Sequence, residues 1–260
     1  MPRKTKNTIF ILILAGITNI NARQFSFVQI SDTHIRQNSQ AIEDLYRSVE
    51  LINSMDSVKF VILSGDVTHN GDRESMLTTM SLLDYIHVPY YAIPGNHETK
   101  WGTQAVNDFC DIFGNDKFVF EYEDCVFVGI NTGDTVMPSE GHVSNSELQW
   151  LDATLAKYPE KIKFVVTHHP LQEGDVDNWA EVTYILNKYD VTCIFSGHYH
   201  RNLLFDCDGI PCVLTRSNKR GEQQLSGFSV ITITDKNITW QEVDSNGNTE
   251  TWLTLPLSNE

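Results

Sequence analysis

Five short apolar segments in this chain each run directly into a polar motif that contains Asp, Asn or His. Such apolar runs are typical of buried strands, and in open α/β sheets ligands bind outside the carboxyl ends of the strands. We therefore expect the five motifs to converge on one site. In chain order they are Asp32-Thr33-His34, Gly65-Asp66, Gly95-Asn96-His97-Glu98, His168-His169-Pro170 and Gly197-His198-Tyr199-His200.

Segments with helical spacing of apolar side chains lie between these strands, whereas residues 201–256 resemble short strands separated by hairpin signals such as Asp208-Gly209. Strands that alternate with helices predict an α/β fold, with the strand-rich tail packing beside it as a second sheet. The pattern predicts strands near 25–30, 58–63, 90–93, 117–122, 125–131, 162–166 and 191–195, and helices near 40–54, 73–87, 103–113, 145–157 and 178–189.

The first 22 residues have the order of a signal peptide. Arg3, Lys4 and Lys6 precede the apolar run 9–17, and a short polar segment ends at Ala22. The run is shorter than the ~20 apolar residues that a membrane-spanning helix needs. A buried N-terminal element and a retained anchor are the alternatives. We expect a signal peptide at 1–22, a single domain at 23–260, and export to the periplasm or the extracellular space.

The charge of the chain argues against nucleic acid as a partner. The formal net charge is −15, and loss of Arg3, Lys4 and Lys6 with the leader would make it −18. A surface this acidic repels a phosphate backbone. Nucleic acid is therefore not expected as a general partner.

The five cysteines do not form a metal-binding pattern, since no two of them are separated by two residues. In an exported protein Cys207 and Cys212 could close a hairpin disulfide, and Cys110 with Cys125 is a second possibility. The odd total leaves at least one thiol free. Cys193 lies inside an apolar run and is expected to be a small buried side chain.

The motifs supply candidate metal ligands. On an extended segment residues two apart point the same way, so Asp32 and His34 can hold one ion, and the carboxylate of Asp66 can bridge two. Asn96 adds a neutral oxygen. Oxygen and imidazole ligands without thiolate suit Mn²⁺, Fe, Zn²⁺ or Co²⁺. The full candidate set, which is too large for one ion and about right for two, is Asp32, His34, Asp66, Asn96, His168, His198 and His200.

Two such ions ~3.5–4 Å apart clamp a phosphoryl group and turn a bound water into a hydroxide that attacks phosphorus in line. His97 is not needed as a ligand, and it is a candidate to protonate the leaving oxygen or to stabilise charge on the phosphate. Asp66 and His97 are therefore the predicted catalytic residues.

These motifs resemble those of the calcineurin-like metallophosphoesterase superfamily: Asp-x-His, Gly-Asp, Gly-Asn-His-Asp/Glu, His and Gly-His-x-His. All five are present in order over residues 32–200. The resemblance implies a four-layer α/β/β/α sandwich, with two mixed β-sheets flanked by helices. It also implies that Asp66 is shared between the two ions, that His97 lies by the substrate phosphate, and that His168 rather than His169 is a ligand. The first ion would have Asp32, His34 and His200, and the second Asn96, His168 and His198.

Within the superfamily the motifs are most similar to the branch of cyclic-nucleotide and glycerophosphodiester phosphodiesterase-like enzymes. His69 stands where purple acid phosphatases have Tyr, and the motif after Asp66 differs from the Val-Asp-Arg-Gly of protein phosphatases. The predicted activity is hydrolysis of a small phosphodiester. A phosphomonoesterase and a non-catalytic scaffold are the alternatives. Arg36 and Arg201 either contact substrate phosphate or form surface ion pairs.

Overall fold

The computed structural model describes residues 23–100, 103–133 and 140–257. The predicted signal peptide lies outside these residues, and so does Trp101, an aromatic residue that the sequence offers equally for a substrate pocket or for packing. Within them the strands are β1 (Gln24–Ile30), β2 (Val58–Ser64), β3 (Tyr90–Ile93), β4 (Phe118–Tyr122), β5 (Cys125–Gly129), β6 (Ile162–Val166), β7 (Val191–Ser196), β8 (Leu203–Cys207), β9 (Ile210–Leu214), β10 (Gly227–Thr234), β11 (Asn237–Asp244) and β12 (Thr249–Pro256). The helices are α1 (Gln40–Asn53), α2 (Arg73–Leu83), α3 (Asn96–Thr99), α4 (Thr103–Phe113), α5 (Asn145–Leu155) and α6 (Trp179–Lys188).

The described strands form two mixed sheets of six strands each. One has the order β12-β11-β10-β1-β2-β3 and the other β4-β5-β6-β7-β9-β8. Strands β1, β2 and β3 are parallel to one another, and so are β5, β6, β7 and β9. The carboxyl ends of these parallel strands carry the five polar motifs, as the sequence predicts.

Three buried apolar clusters separate the four layers. Aromatic side chains of both sheets, among them Phe27, Phe60, Phe127 and Phe195, fill the space between the sheets. One outer cluster joins the first sheet to α1, α2 and α4, and the other joins the second sheet to α5 and α6. Because each sheet is covered on both faces, the predicted α/β/β/α sandwich is confirmed.

The strand-rich tail differs from the expectation. It does not form a sheet of its own, because its strands complete both sheets. The hairpin β8–β9 pairs with β7, and β10 pairs with β1 as an antiparallel neighbour. Strands β4 to β7, which precede the tail, already form part of the second sheet. The tail adds β8 and β9 to that sheet, and β10, β11 and β12 to the first sheet.

Helix α2 ends at Leu83, four residues before the expected end. The side chain of Asn53 at the end of α1 accounts for this difference. Its Nδ2 donates to the carbonyl of Tyr85 at 2.7 Å, and its Oδ1 accepts the backbone N–H of His87 at 2.9 Å. These two bonds hold the connection to β3 in a turn.

Neither of the two possible disulfides is formed, since all five cysteines are free thiols. In the β8–β9 hairpin Cys207 lies opposite Ile210, and Cys212 lies opposite Phe205. The two cysteines are thus diagonal neighbours rather than a directly opposed pair. Cys193 is fully buried between the sheets, as expected. Within the described residues no helix is long and apolar enough to cross a bilayer.

Candidate metal centre

The loops after β1, β2, β3, β6 and β7 bring the five motifs together where the two sheets meet. Hydrogen bonds across the sheets fix this arrangement. Gln29 at the end of β1 donates to Ser64 Oγ at 3.0 Å and to the carbonyl of Ser196 at 2.9 Å. His168 Nδ1 donates to the carbonyl of Ser64 at 2.9 Å. This last bond leaves Nε2 as the nitrogen of His168 that faces the site.

One group of candidate ligands consists of Asp32, His34, Asp66 and His200, whose ligand atoms all lie within 4.8 Å of one another. His34 Nε2 is 2.9 Å from His200 Nε2 and 3.7 Å from Asp66 Oδ2. Asp32 Oδ2 accepts the backbone N–H of His198 at 3.1 Å. Asp32 Oδ1 is buried without a hydrogen-bond partner in the described part of the chain, 3.3 Å from His200 Nε2. A buried carboxylate oxygen left in this position fits a cation.

A second group surrounds His168. Its Nε2 lies 3.3 Å from Asp66 Oδ1, 3.1 Å from Asn96 Oδ1 and 3.3 Å from His198 Nδ1. The two carboxylate oxygens of Asp66 therefore face different groups, with Oδ2 toward His34 and Oδ1 toward His168. This is the geometry expected of a carboxylate shared by two ions.

His169 also lies close to the second group, with a ligand atom within 4.8 Å of those of His168 and His198. Its Nδ1 forms a 2.9 Å hydrogen bond with Thr132 Oγ1. The bond ties His169 to the loop after β5. The expectation that His168 rather than His169 contributes the ligand atom stays a prediction.

Five of the seven predicted ligands have left-handed backbone conformations, which cost roughly 1–3 kcal/mol each in non-glycine residues. The expected extended geometry of Asp32 and His34 is therefore wrong, although both side chains still reach the same place. The backbone N–H groups of Asp32 and His34 donate to the carbonyls of Gly65 and Asp66, both at 3.0 Å, and these bonds hold the first loop against the second. The five φ values are 53° for Asp32, 46° for His34, 52° for Asp66, 72° for His198 and 57° for His200.

Two glycines allow the loops to approach closely. A Cβ on Gly95 would overlap the carboxylate and the backbone nitrogen of Asp66, and a Cβ on Gly197 would overlap Ser31 Oγ. Both glycines stand next to candidate ligands, Asn96 and His198. The absence of a side chain at these two positions thus sets the distance between neighbouring loops.

Glu98 is a functional residue whose role the sequence analysis missed. Its buried carboxyl group accepts the N–H of Thr68 at 2.8 Å, Thr68 Oγ1 at 2.8 Å, the N–H of Gly95 at 3.0 Å and the N–H of Val67 at 3.3 Å. It therefore joins the loop of Asp66 to the loop of Asn96. The signal was the spacing of Glu98 three residues after Gly95, which is a capping pattern. Burial raises the pKa of Glu98 to about 7, and the nearby charge of Asp66 contributes.

Burial and mutual charge set the protonation of the ligands. Burial lowers the pKa of His34 to about 3 and, together with the charge of His168, that of His198 to about 4. Burial acts in the same direction on His168, but the carboxylate of Asp66 outweighs it and raises the pKa of His168 to about 9. Burial would raise the pKa of Asp66, yet His168 and the neighbouring imidazoles hold it well below its usual range. Asp66 and His168 thus form an ion pair at the centre of the site.

His97 lies at the solvent side of the two groups. Its backbone N–H donates to Asp66 Oδ1 at 2.9 Å, and its Nδ1 donates to the carbonyl of His69 at 2.5 Å. Lys100 Nζ is 3.1 Å from both ring nitrogens of His97. The ring is oriented by these contacts, and its Nε2 is 3.8 Å from Asp66 Oδ2. The sequence analysis did not assign a role to Lys100.

The arginines Arg36 and Arg201, and the nearby side chains of Tyr199 and His142, have different surroundings. Tyr199 donates to the carboxylate of Asp175 at 2.7 Å, and the guanidinium of Arg201 lies 5.8 Å from the centre of the Tyr199 ring. His142 Nδ1 lies 2.7 Å from Asp177 Oδ1, and both side chains are exposed. Arg36, in contrast, lines a cleft beside His34.

Comparisons with known proteins agree with this geometry. A family model described as calcineurin-like phosphoesterase matches residues 25–202. A probable glycerophosphodiester phosphodiesterase of Arcobacter nitrofigilis is 29% identical over 194 residues, which cover 67% of this chain and 71% of that protein. A probable cyclic nucleotide phosphodiesterase of Ruthia magnifica is 28% identical over 228 residues, covering 81% of this chain and 94% of that protein. The crystal structure of a dimetal phosphatase from Danio rerio has a TM-score of 0.68 at 17% identity, and covers 90% of this chain and 99% of that chain.

Proposed function

The chain belongs to the calcineurin-like phosphoesterases, and on this premise we propose that it hydrolyses a small phosphodiester with two divalent metal ions. Hydrolysis of phosphoric ester bonds is the activity of the family. The choice of a diester is supported by the relatives from Arcobacter nitrofigilis and Ruthia magnifica, which are named as probable phosphodiesterases.

The observation that carries the proposal is the position of Asp66 between two groups of ligands. Its Oδ2 lies 3.7 Å from His34 Nε2 and its Oδ1 lies 3.3 Å from His168 Nε2. Asp32, His34 and His200 would hold one ion, and Asn96, His168 and His198 the other. Ions bound there would neutralise phosphate charge and activate water as the nucleophile. Mn²⁺, Fe, Zn²⁺ and Co²⁺ all suit oxygen and imidazole ligands.

In this proposal His97 acts on the leaving oxygen. Its Nδ1 is engaged by the carbonyl of His69, so its Nε2 is the nitrogen that faces the site. A proton held on this nitrogen can be donated as the ester bond breaks. The hydrogen bond from its own backbone to Asp66 keeps the ring next to the metal ligands.

A phosphomonoesterase is the second candidate, and the position of Lys100 beside His97 favours it. A monoester carries one more negative charge than a diester. The ammonium group of Lys100, 3.1 Å from the ring nitrogens of His97, would offset that charge.

A substrate comparison tests both candidates. Metal-loaded protein is assayed with a monoester and a diester of the same leaving group, and its metal content is measured by mass spectrometry. We expect faster turnover of the diester and two ions per chain. Asn96→Ala is the control, because it removes one ligand of the second ion. Preference for the monoester would favour the second candidate, and absence of both turnover and bound metal would contradict the enzyme assignment.

We also propose export after cleavage near Ala22, supported by the basic and apolar segments of the first 22 residues. N-terminal sequencing of protein from an exporting host should show Arg23 at or near the first position. Intact Met1 in a cytoplasmic fraction would contradict export. The expectation that nucleic acid is not a partner rests on the acidic charge of the chain and stays a prediction.

A further inference from the structure

A cleft of about 410 Å³ opens beside His34 and His69. This volume is within the ~300–1,000 Å³ range of small-molecule sites. His34 belongs to the first group of candidate metal ligands. The ligand atoms of His34, His69 and His97 lie within 4.8 Å of one another. The cleft therefore begins at the metal centre, on the side where His97 lies.

The lining of this cleft is cationic in a chain whose formal net charge is −15. Arg36, Lys219 and Arg220 contribute three positive side chains. Arg220 is neutralised by buried Asp44, whose Oδ1 accepts Arg220 Nε at 2.6 Å and whose Oδ2 accepts the Arg220 backbone N–H at 3.0 Å. Within the described ranges, the side chains of Arg36 and Lys219 form no ion pair with a carboxylate of the chain. Two cations are thus left to bind an anion.

Hydrogen bonds to other parts of the chain hold the segment of the cleft wall that carries Lys219. Ser217 Oγ donates to the carbonyl of Asp32 at 2.7 Å, and the N–H of buried Asn218 donates to the carbonyl of Ser31 at 2.8 Å. Asn218 Nδ2 also donates to Ser48 Oγ at 2.8 Å. These bonds tie the loop after β9 to the first ligand motif. The Lys219 backbone is therefore held in place next to the metal centre.

We propose that this cleft binds the leaving alcohol of the substrate, and that this alcohol carries an anionic group that Arg36 and Lys219 recognise. The proposal rests on the proposed phosphodiesterase function. His97 is the group placed to protonate the leaving oxygen, and His69, whose carbonyl holds His97, lines the cleft. The departing group therefore enters the cleft as the ester bond to phosphorus breaks. A carboxylate and a phosphate share the required charge.

Matched substrates test the proposal. The leaving phenols of methyl aryl phosphates carry a para carboxylate, a para carboxamide or a para phosphonomethyl group. The carboxylate and the carboxamide are similar in size and differ in charge. We expect metal-loaded protein to favour the carboxylate over the carboxamide in kcat/KM by about tenfold, the effect of a single charge-assisted contact. If the preference for the phosphonate over the carboxamide exceeds that for the carboxylate, phosphate is the better match for the cleft. If it is smaller, carboxylate is the better match.

The double variant Arg36→Gln/Lys219→Gln should abolish the preference, with the kcat/KM ratio falling to about one. Arg47→Gln is the matched control, since Arg47 is an exposed arginine of α1 that pairs with Glu50 and does not line the cleft. It should keep the wild-type ratio. A wild-type ratio near one, or a preference that survives in the double variant, would overturn the cleft assignment while leaving the phosphodiesterase function intact.

A binding measurement separates the two proposals. Ligand-observed NMR with metal-loaded protein compares 4-hydroxybenzoate with 4-hydroxybenzamide. Wild-type protein should bind the acid more tightly than the amide, and the double variant should not distinguish them. If no ester were hydrolysed but this difference were seen, the phosphodiesterase function would fail and the anion site would stand. Equal binding of acid and amide by wild type would refute the anion site.

Discussion

Asp66 Oδ1 lies 3.3 Å from His168 Nε2, so a carboxylate from the first sheet meets an imidazole from the second at the centre of the site. The pair is ionic in the metal-free protein, because the carboxylate raises the pKa of His168 to about 9 despite its burial. A metal ion at His168 must displace this proton. Metal binding and proton release are therefore coupled.

The coupling predicts that metal affinity rises with pH. Below about 9 His168 carries a proton that competes with the ion, so affinity should increase about tenfold per pH unit between 7 and 9 if one proton is released. Calorimetric titration with Mn²⁺ in two buffers of different ionisation enthalpy measures the number of protons released. Binding at pH 7 without proton release would contradict the predicted ion pair.

Loss of Asp66 and loss of Asn96 should differ in metal stoichiometry. Asp66 faces both groups of ligands, whereas Asn96 Oδ1 lies beside His168 in the second group. We expect Asp66→Ala to weaken both ions and Asn96→Ala to weaken one. Elemental analysis after dialysis should then find close to none and close to one ion per chain. The same stoichiometry in both variants would argue against a shared carboxylate.

His97→Ala should keep its metal and lose turnover according to the leaving group. A proton donor matters most when the leaving oxygen is strongly basic, and general acids typically contribute about 10²–10⁴-fold. A series of aryl and alkyl esters separates the effect. The loss should be large for alkyl esters and small for nitrophenyl esters. Equal losses throughout the series would indicate charge stabilisation in place of proton transfer.

Glu98→Gln should destabilise the protein and weaken metal binding together. The buried carboxyl of Glu98 accepts four hydrogen bonds, and an amide retains only one accepting oxygen. We expect a loss of about 2 kcal/mol in unfolding free energy, the size of one or two bonds to a charged group. Denaturant unfolding and Mn²⁺ titration measure the two effects. Exposed Glu250→Gln is the control and should change neither.

The convergence of the candidate ligands could be predicted from the sequence because each motif follows a strand, and the ends of parallel strands share one edge. The backbone conformation of Asp32 and His34 could not be predicted from the sequence, because their left-handed conformations depend on hydrogen bonds to the loop of Asp66. The cationic cleft also could not be predicted from the sequence. Asp44 pairs with Arg220 across 176 positions of sequence, and only the fold shows which cations are left without a carboxylate partner.

Gly95→Ala tests whether close loop approach sets the metal geometry. Gly95 has a φ of −107°, which an alanine can adopt, so the substitution acts by contact and not by backbone strain. Its Cβ would overlap the carboxylate of Asp66 and push the loops after β2 and β3 apart. We expect at least tenfold weaker binding of Mn²⁺, because Asp66 and Asn96 can no longer bind the same pair of ions. Gly221→Ala is the matched control. A Cβ there has only Gln224 nearby, at 3.9 Å, and the variant should bind Mn²⁺ as the wild type does. Unchanged affinity in Gly95→Ala would show that the loops can separate without disturbing the ligands.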